Sequence, residues 1–460
     1  MPQTYFKSNP SLGIRLESPS YAPGDTIVGC VFRKSPTVSP NSSVTISLSG
    51  KAKAKMVVGD GNRSETYRGR FNLIARHVHS QTVFQGPLHI EGGGDEQVWP
   101  FAITLPKYVD PRYVNDGTED QCSLLPPGKT DHELPPSCKL LCFGSSEAFV
   151  EYVLEASLRL TGHNYDEAAE ATLPFNITSF YPNPPIANFA IKRWRCCRSV
   201  SSYRLVPGME DVKLSFSQKL KQNLSFSSIP DFKFDLFVDV PTSIQLDNPA
   251  PIPFRLRVVP DWAKTSEIIQ GVPQTIRLTG ASFRIVTVTG MFCGGTFTPQ
   301  FKEKSTEVDL NIIEAINELH HNIYIPCTNE WPSIDIGKMI NLRIGRLEPG
   351  FPQQQQTGHV QFTPDFTTHN LRVFHRLRWS VQGEVAGERF SAEGISPLDL
   401  LAPSDGRRVP DHITPPRDEM SEPVAGPSQV HRSESWIKPP EEEELPTYGQ
   451  VQEERSRALV

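Results

Sequence analysis

No stretch of the sequence approaches the run of about 20 apolar residues that a membrane-spanning helix requires. The opening, MPQTYFKSNPSLGIRLESPS, has neither a basic leader region nor an apolar block behind it, so a cytoplasmic location is the expectation. Cysteine is scarce. Cys30, Cys122, Cys138, Cys142, Cys196, Cys197, Cys293 and Cys327 are too few and too scattered to staple 460 residues, and free thiols are expected. Four N-x-S/T sequons, at Asn41, Asn62, Asn176 and Asn223, carry little weight without a leader. The P-loop, the G-x-S-x-G elbow, H-E-x-x-H and G-x-G-x-x-G are all missing, which points away from an enzyme.

An excess of one charge is also lacking over most of the chain. Residues 1–400 carry 39 basic and 40 acidic side chains, so the body has no net field to attract nucleic acid, and none is expected as a partner. From Leu401 onward there are 12 acidic and 7 basic side chains, and this end holds nearly all of the net charge of -6.

Helical patterning is confined to Thr306–Asn322, around IIEAINELHH. Strand patterning dominates. Val44–Gly50 alternates apolar and polar residues, as a strand does with one buried and one wet face, and the same alternation runs through 149–160, 232–240, 253–259, 275–289, 340–344 and 371–381. Turn-forming Pro, Gly, Asn or Asp bound these segments. Strands without intervening helices predict an all-β fold of antiparallel sheets stacked face to face, and the length implies two such cores.

Proline marks the divisions. Tyr181-Pro182-Asn183-Pro184-Pro185 interrupts any ladder, so one β-sandwich is expected over 1–180, a Pro-rich and then basic linker over 181–210, and a second sandwich over 211–400. Beyond Gly394 the composition turns to Pro, Ser, Glu, Asp and Arg, and 401–460 is expected to be a disordered acidic tail. Residues 110–136, with Pro126-Pro127-Gly128 and Pro135-Pro136, are expected to form an exposed loop insertion, and 353–356 a shorter loop.

Few side-chain groupings suggest chemistry. Lys192, Arg193, Trp194, Arg195, Cys196, Cys197 and Arg198 combine four cations, an aromatic ring and two thiols. One reading is peripheral membrane contact with acylatable cysteines; the plainer and favoured one is a solvated connector. Cys138 and Cys142 lack a second pair, His77-Val78-His79 would put two imidazoles on one strand face, and His320-His321 sit near a helix end. None predicts a metal, and no cofactor is expected. Gly92-Gly93-Gly94 is expected in a hairpin loop.

Four motifs, in order, resemble a known family. Residues 21–32, YAPGDTIVGCVF, are similar to the early strand pair of the arrestin amino domain; Pro23 and Gly24 suit the two central turn positions and Asp25 the turn's cap. Trp99–Pro106 (WPFAITLP) resembles that family's P-F-x-F-x-L-P segment, and Leu134-Pro135-Pro136-Ser137 followed by 148–156 (AFVEYVLEA) its L-P-P-S-F and V-x-Y-x-L-x-A strand. Pro364-Asp365-Phe366 ahead of 371–381 (LRVFHRLRWSV) resembles a strand late in the carboxyl domain. The resemblance covers about residues 10–395 and is greatest to the α-arrestins. It implies two arrestin-like sandwiches in tandem and a protein that acts by binding.

The tail then supplies a partner. Leu445, Pro446, Thr447 and Tyr448 fit the [L/P]-P-x-Y pattern that WW domains bind: Pro446 presets the polyproline II φ, and a second pocket takes the tyrosine. Glu441–Glu444 would keep the motif extended and solvated. Similarity to the α-arrestins implies recruitment of a WW-domain HECT-type ubiquitin ligase to a membrane transporter or receptor, at the plasma membrane or on endosomes. An endosomal sorting scaffold of the retromer-subunit kind shares the architecture and needs no such motif. An extracellular adhesion sandwich would require a leader and disulfides, and a carbohydrate-active enzyme paired carboxylates in a cleft.

Overall fold

The computed structural model describes residues 12–60, 63–114, 123–126, 128–141, 146–161, 166–181, 184–210, 212, 229–294, 298–328, 332–345 and 362–406. All belong to one compact unit, residues 1–408. The fold is all-β, with four sheets among the described residues, whose pairings are antiparallel apart from short parallel ones at β2 and β13.

Strands are numbered in chain order. A three-stranded sheet orders β1 (Gly13–Leu16), β3 (Thr26–Arg33) and β7 (Gln97–Thr104). Beside it, a seven-stranded sheet runs β2 (Ser20–Tyr21), β10 (Asp166–Ile177), β9 (Glu147–Thr161), β4 (Thr37–Asp60) and β5 (Arg63–Ile74); β6 (Ser80–Ile90) adds to β4 and β8 (Cys138–Leu141) to β9. The second half repeats the plan. A four-stranded sheet orders β11 (Ile191–Ser201), β12 (Asp231–Pro241), β14 (Arg255–Pro260) and β18 (Ile334–Asp335). The other runs β13 (Ser243–Gln245), β21 (Glu388–Leu401), β20 (Leu371–Val385), β15 (Ile276–Cys293) and β16 (Gln300–Asp309), with β17 (Tyr324–Ile325) on β15 and β19 (Phe366–Thr367) on β20. Helix α1 (Ile312–Glu318) falls where the sequence suggests one; α2 (Ile336–Met339) is a single turn.

Period-two patterning explains both cores. In β12, Phe232, Phe234, Leu236 and Val238 point inward and meet Phe283, Ile285 and the fully buried Trp379. In β4, Val44, Ile46 and Leu48 do the same against Tyr152, Leu154 and Leu158 of β9. β4 changes partners along its length, and its register against β6 shifts between Ser39 and Ser42 because Pro40 has no N–H for the ladder. The turn at 22–25 forms as its chemistry requires: Gly24 has φ +87°, the Asp25 N–H donates to the Ala22 carbonyl, and the Asp25 carboxylate accepts from the Ala22 N–H at 2.7 Å.

Several expectations are corrected. Residues 191–201, read as linker, are β11, paired with β12 along its whole length, because the alternation from Trp194 to Val200 is masked by the intervening cations. Residues 340–344 form no strand; a turn follows α2 at 340–341 and the chain runs on without regular structure. The return limb of the 110–136 insertion is not an exposed loop, since His132, Leu134, Pro135 and Pro136 are buried. Gly92–Gly94 join strands of different sheets, so the loop closes no hairpin. Residues 394–401 continue β21, with Ser396, Leu398 and Leu400 inward. Residues 353–356 and 407–460 lie outside the described residues.

Candidate functional site

The motif Leu445, Pro446, Thr447, Tyr448 lies outside the described residues. The basic segment does not. On β11, at the edge of its sheet, Arg193 binds the largely buried Asp239 through two bonds of 2.7 and 2.8 Å, and Arg195 binds Asp235 at 2.6 Å. Arg195 holds the Asp235 carboxyl below its ordinary range. The Cys197 thiol donates to Asp235 at 2.9 Å, which raises its pKa and lowers its nucleophilicity. Arg198 is spent on the carbonyls of Ser391 and Cys197. Trp194 packs edge-on against Trp379 at 5.9 Å, with the Lys192 ammonium over its ring, and Cys196 beside them is half-buried. Two of the four cations are therefore neutralised within the sheet, and the aromatic ring faces the core rather than solvent.

The histidines singled out in the sequence are dispersed. His77 and His79 lie in the turn between β5 and β6, not on a strand face, and His77 contacts Tyr113 edge-on. The His321 Nδ1 donates to the Leu319 carbonyl at 2.8 Å. Among the described residues no three of His, Cys, Asp and Glu are grouped to hold a metal ion. Burial pushes the thiols of Cys138 and Cys327 up to about 12 and that of Cys293 to about 11. His375 pairs with Asp365, but its side chain is 0% exposed and cannot meet a substrate. A groove of about 930 Å³ along β1 carries Arg15 and Lys139 against Glu17 and Glu151, a balance that selects no ligand by charge.

A buried polar arrangement lies where the second half of the chain enters the first core. Met291 and Cys293, at the end of β15, and Leu371, at the start of β20, are buried among first-core residues. Between β19 and β20 the chain makes a tight turn locked by Thr368, whose hydroxyl accepts from the N–H groups of Asn370 and Leu371. Asn370, fully buried, donates from Nδ2 to the carbonyls of Ala52 and Gly69 at 3.2 and 3.3 Å. His369 stacks on Phe71 of β5 at 5.2 Å, shares a 2.7 Å hydrogen bond with Ser123, and accepts from Leu124 N–H at its carbonyl. His132 meets the His369 ring edge-on at 5.6 Å, and its ring lies beside the Thr367 carbonyl. Burial, with His132 adding to it, lowers the pKa of His369 to about 4; burial also lowers that of His132, against the opposing pull of the Thr367 carbonyl.

No protein-family model matches the chain, and no curated protein matches it. Its reading therefore rests on geometry and motif. Sequence reasoning passed over His132, His369 and Asn370. The string Thr368-His369-Asn370 carries no periodic signal, and its meeting with Phe71 joins positions some 300 residues apart in sequence. One clue existed: four consecutive polar residues set between Phe366 and the apolar strand that opens at Leu371 mark a turn whose side chains must find partners.

Proposed function

We propose that the protein is an arrestin-like adaptor of the α-arrestin kind, which brings a WW-domain HECT-type ubiquitin ligase to a membrane transporter or receptor at the plasma membrane or on endosomes. Leu445-Pro446-Thr447-Tyr448 behind Glu441–Glu444 is the observation that carries this reading. A proline followed two residues later by tyrosine suits a WW groove, and the acidic run suits a basic rim around it. The β-sandwich halves supply broad sheet surfaces for cargo. Catalysis would belong to the ligase; the adaptor's contribution is effective concentration, since holding ligase and cargo on one chain makes the transfer between them intramolecular. Membrane association would come from the cargo, because the guanidinium groups of Arg193 and Arg195 are already paired.

The test is capture of the full chain on immobilised WW domains from HECT-type ligases, comparing the natural sequence with Tyr448→Ala and Pro446→Ala. Capture of the natural chain and loss of both variants is the expected result. Equal capture of all three, or of none, removes the adaptor reading and favours the sorting scaffold.

A further inference from the structure

The junction between the two cores contains a feature that binding of a ligase does not use. His132 comes from the return limb of the insertion in the first half, His369 from the β19–β20 turn in the second, and both are only 6% exposed. The two rings meet edge-on at 5.6 Å, and the other face of the cluster is Phe71, on which His369 stacks. The groups facing the pair are few. His132's own segment brings Lys129 and Asp131, which lie 3.9 Å apart and offset one another. The turn brings the Thr367 carbonyl to His132 and the Ser123 hydroxyl meets His369, while no ionisable group of β4, β5 or β20 acts on either ring. Two neutral imidazoles fit this setting; two imidazolium ions would stand against each other, out of water, and among the described residues the one carboxylate that acts on them, Asp131, is offset by Lys129.

We propose that His132 and His369 form a proton-operated latch between the two sandwiches, closed when both rings are neutral and released when mildly acidic surroundings protonate them. Beside the apolar seat of Met291, Cys293 and Leu371, several polar contacts across the junction suit a latch. Asn370 to Ala52 and Gly69, Cys293 to the Ala54 carbonyl and Lys302 to Ser146 are neutral or singly charged hydrogen bonds that water can replace when the halves part. Histidine is the side chain whose ordinary pKa lies within the range a cell's compartments span. Release would therefore accompany passage from a neutral to an acidic compartment. The latch does not depend on the adaptor reading.

Hydrogen exchange of the full chain, corrected for the intrinsic rate at each pH, tests it at the amides of Leu124, Phe292 and Leu371. Moving from about pH 7.5 to about pH 5.5 is expected to raise exchange at these amides by about tenfold or more while amides within β12 keep their protection. His132→Phe with His369→Phe, which keeps the stack on Phe71, is expected to abolish that response. Unchanged protection in the natural chain, or an undiminished response in the double variant, would overturn the proposal. A second readout needs no variant: the imidazole Cε1–H resonances of His132 and His369 should titrate below the ordinary histidine range and together with the loss of protection, and titration at the ordinary value would equally overturn it.

Discussion

At the scale of single residues, the interior leaves little room for change where backbone and side chain meet closely. Gly394 lies opposite Trp379 in the ladder, and a Cβ there would sit 2.6 Å from the buried indole. Gly394→Ala should therefore destabilise the fold by about 1–3 kcal/mol, the usual cost of overpacking, measurable by urea denaturation. Asn370→Ala should cost a similar amount, about 1–3 kcal/mol, since it removes the two buried bonds that Asn370 makes to the carbonyls of Ala52 and Gly69. The two glycines that mattered were unequally legible. Gly24 announces itself because Pro-Gly-Asp is a local turn signal, and it takes φ +87°. Gly394 reads as a boundary in sequence because its reason, the face of Trp379, arrives from another strand.

At the scale of elements, long strands with clean alternation were legible and short or disguised ones were not. β9, β12 and β20 follow their apolar pattern almost residue for residue. β11 was hidden because an edge strand carries cations that resist edge-to-edge pairing, and a run of cations in sequence looks like solvated chain. The pairing of Arg193 with Asp239 and Arg195 with Asp235 has a measurable consequence. Co-sedimentation with vesicles rich in anionic lipid should show weak binding by the natural chain and stronger binding by Asp235→Asn with Asp239→Asn, which frees two guanidinium groups. Strong binding by the natural chain that disappears in Arg193→Ala with Arg195→Ala would show instead that β11 is a membrane contact.

At the scale of the whole molecule, the all-β class and the two cores follow from period-two patterning, but the way the second half reaches into the first core does not. Met291, Cys293 and Leu371 are apolar residues on strands like any others; only the tertiary fold decides which core they fill. The pH response belongs to this scale too. His369 is depressed to about 4 from an ordinary value of 6.5, so its neutral form stabilises the closed junction fully above pH 6.5, and that stability is lost as the pH falls toward 4. Between neutrality and about pH 5 the linkage amounts to about 2 kcal/mol, visible as a lower thermal midpoint that His369→Phe removes.

The adaptor reading turns on one short motif, and a calorimetric titration of the complete chain with an isolated WW domain from a HECT-type ligase probes it directly. A single Leu-Pro-Thr-Tyr sequence predicts one WW domain bound per chain and at least about a tenfold loss of affinity in Tyr448→Ala, or about 1.4 kcal/mol. Binding that survives Tyr448→Ala unchanged, or no heat of binding from the natural chain, would contradict it.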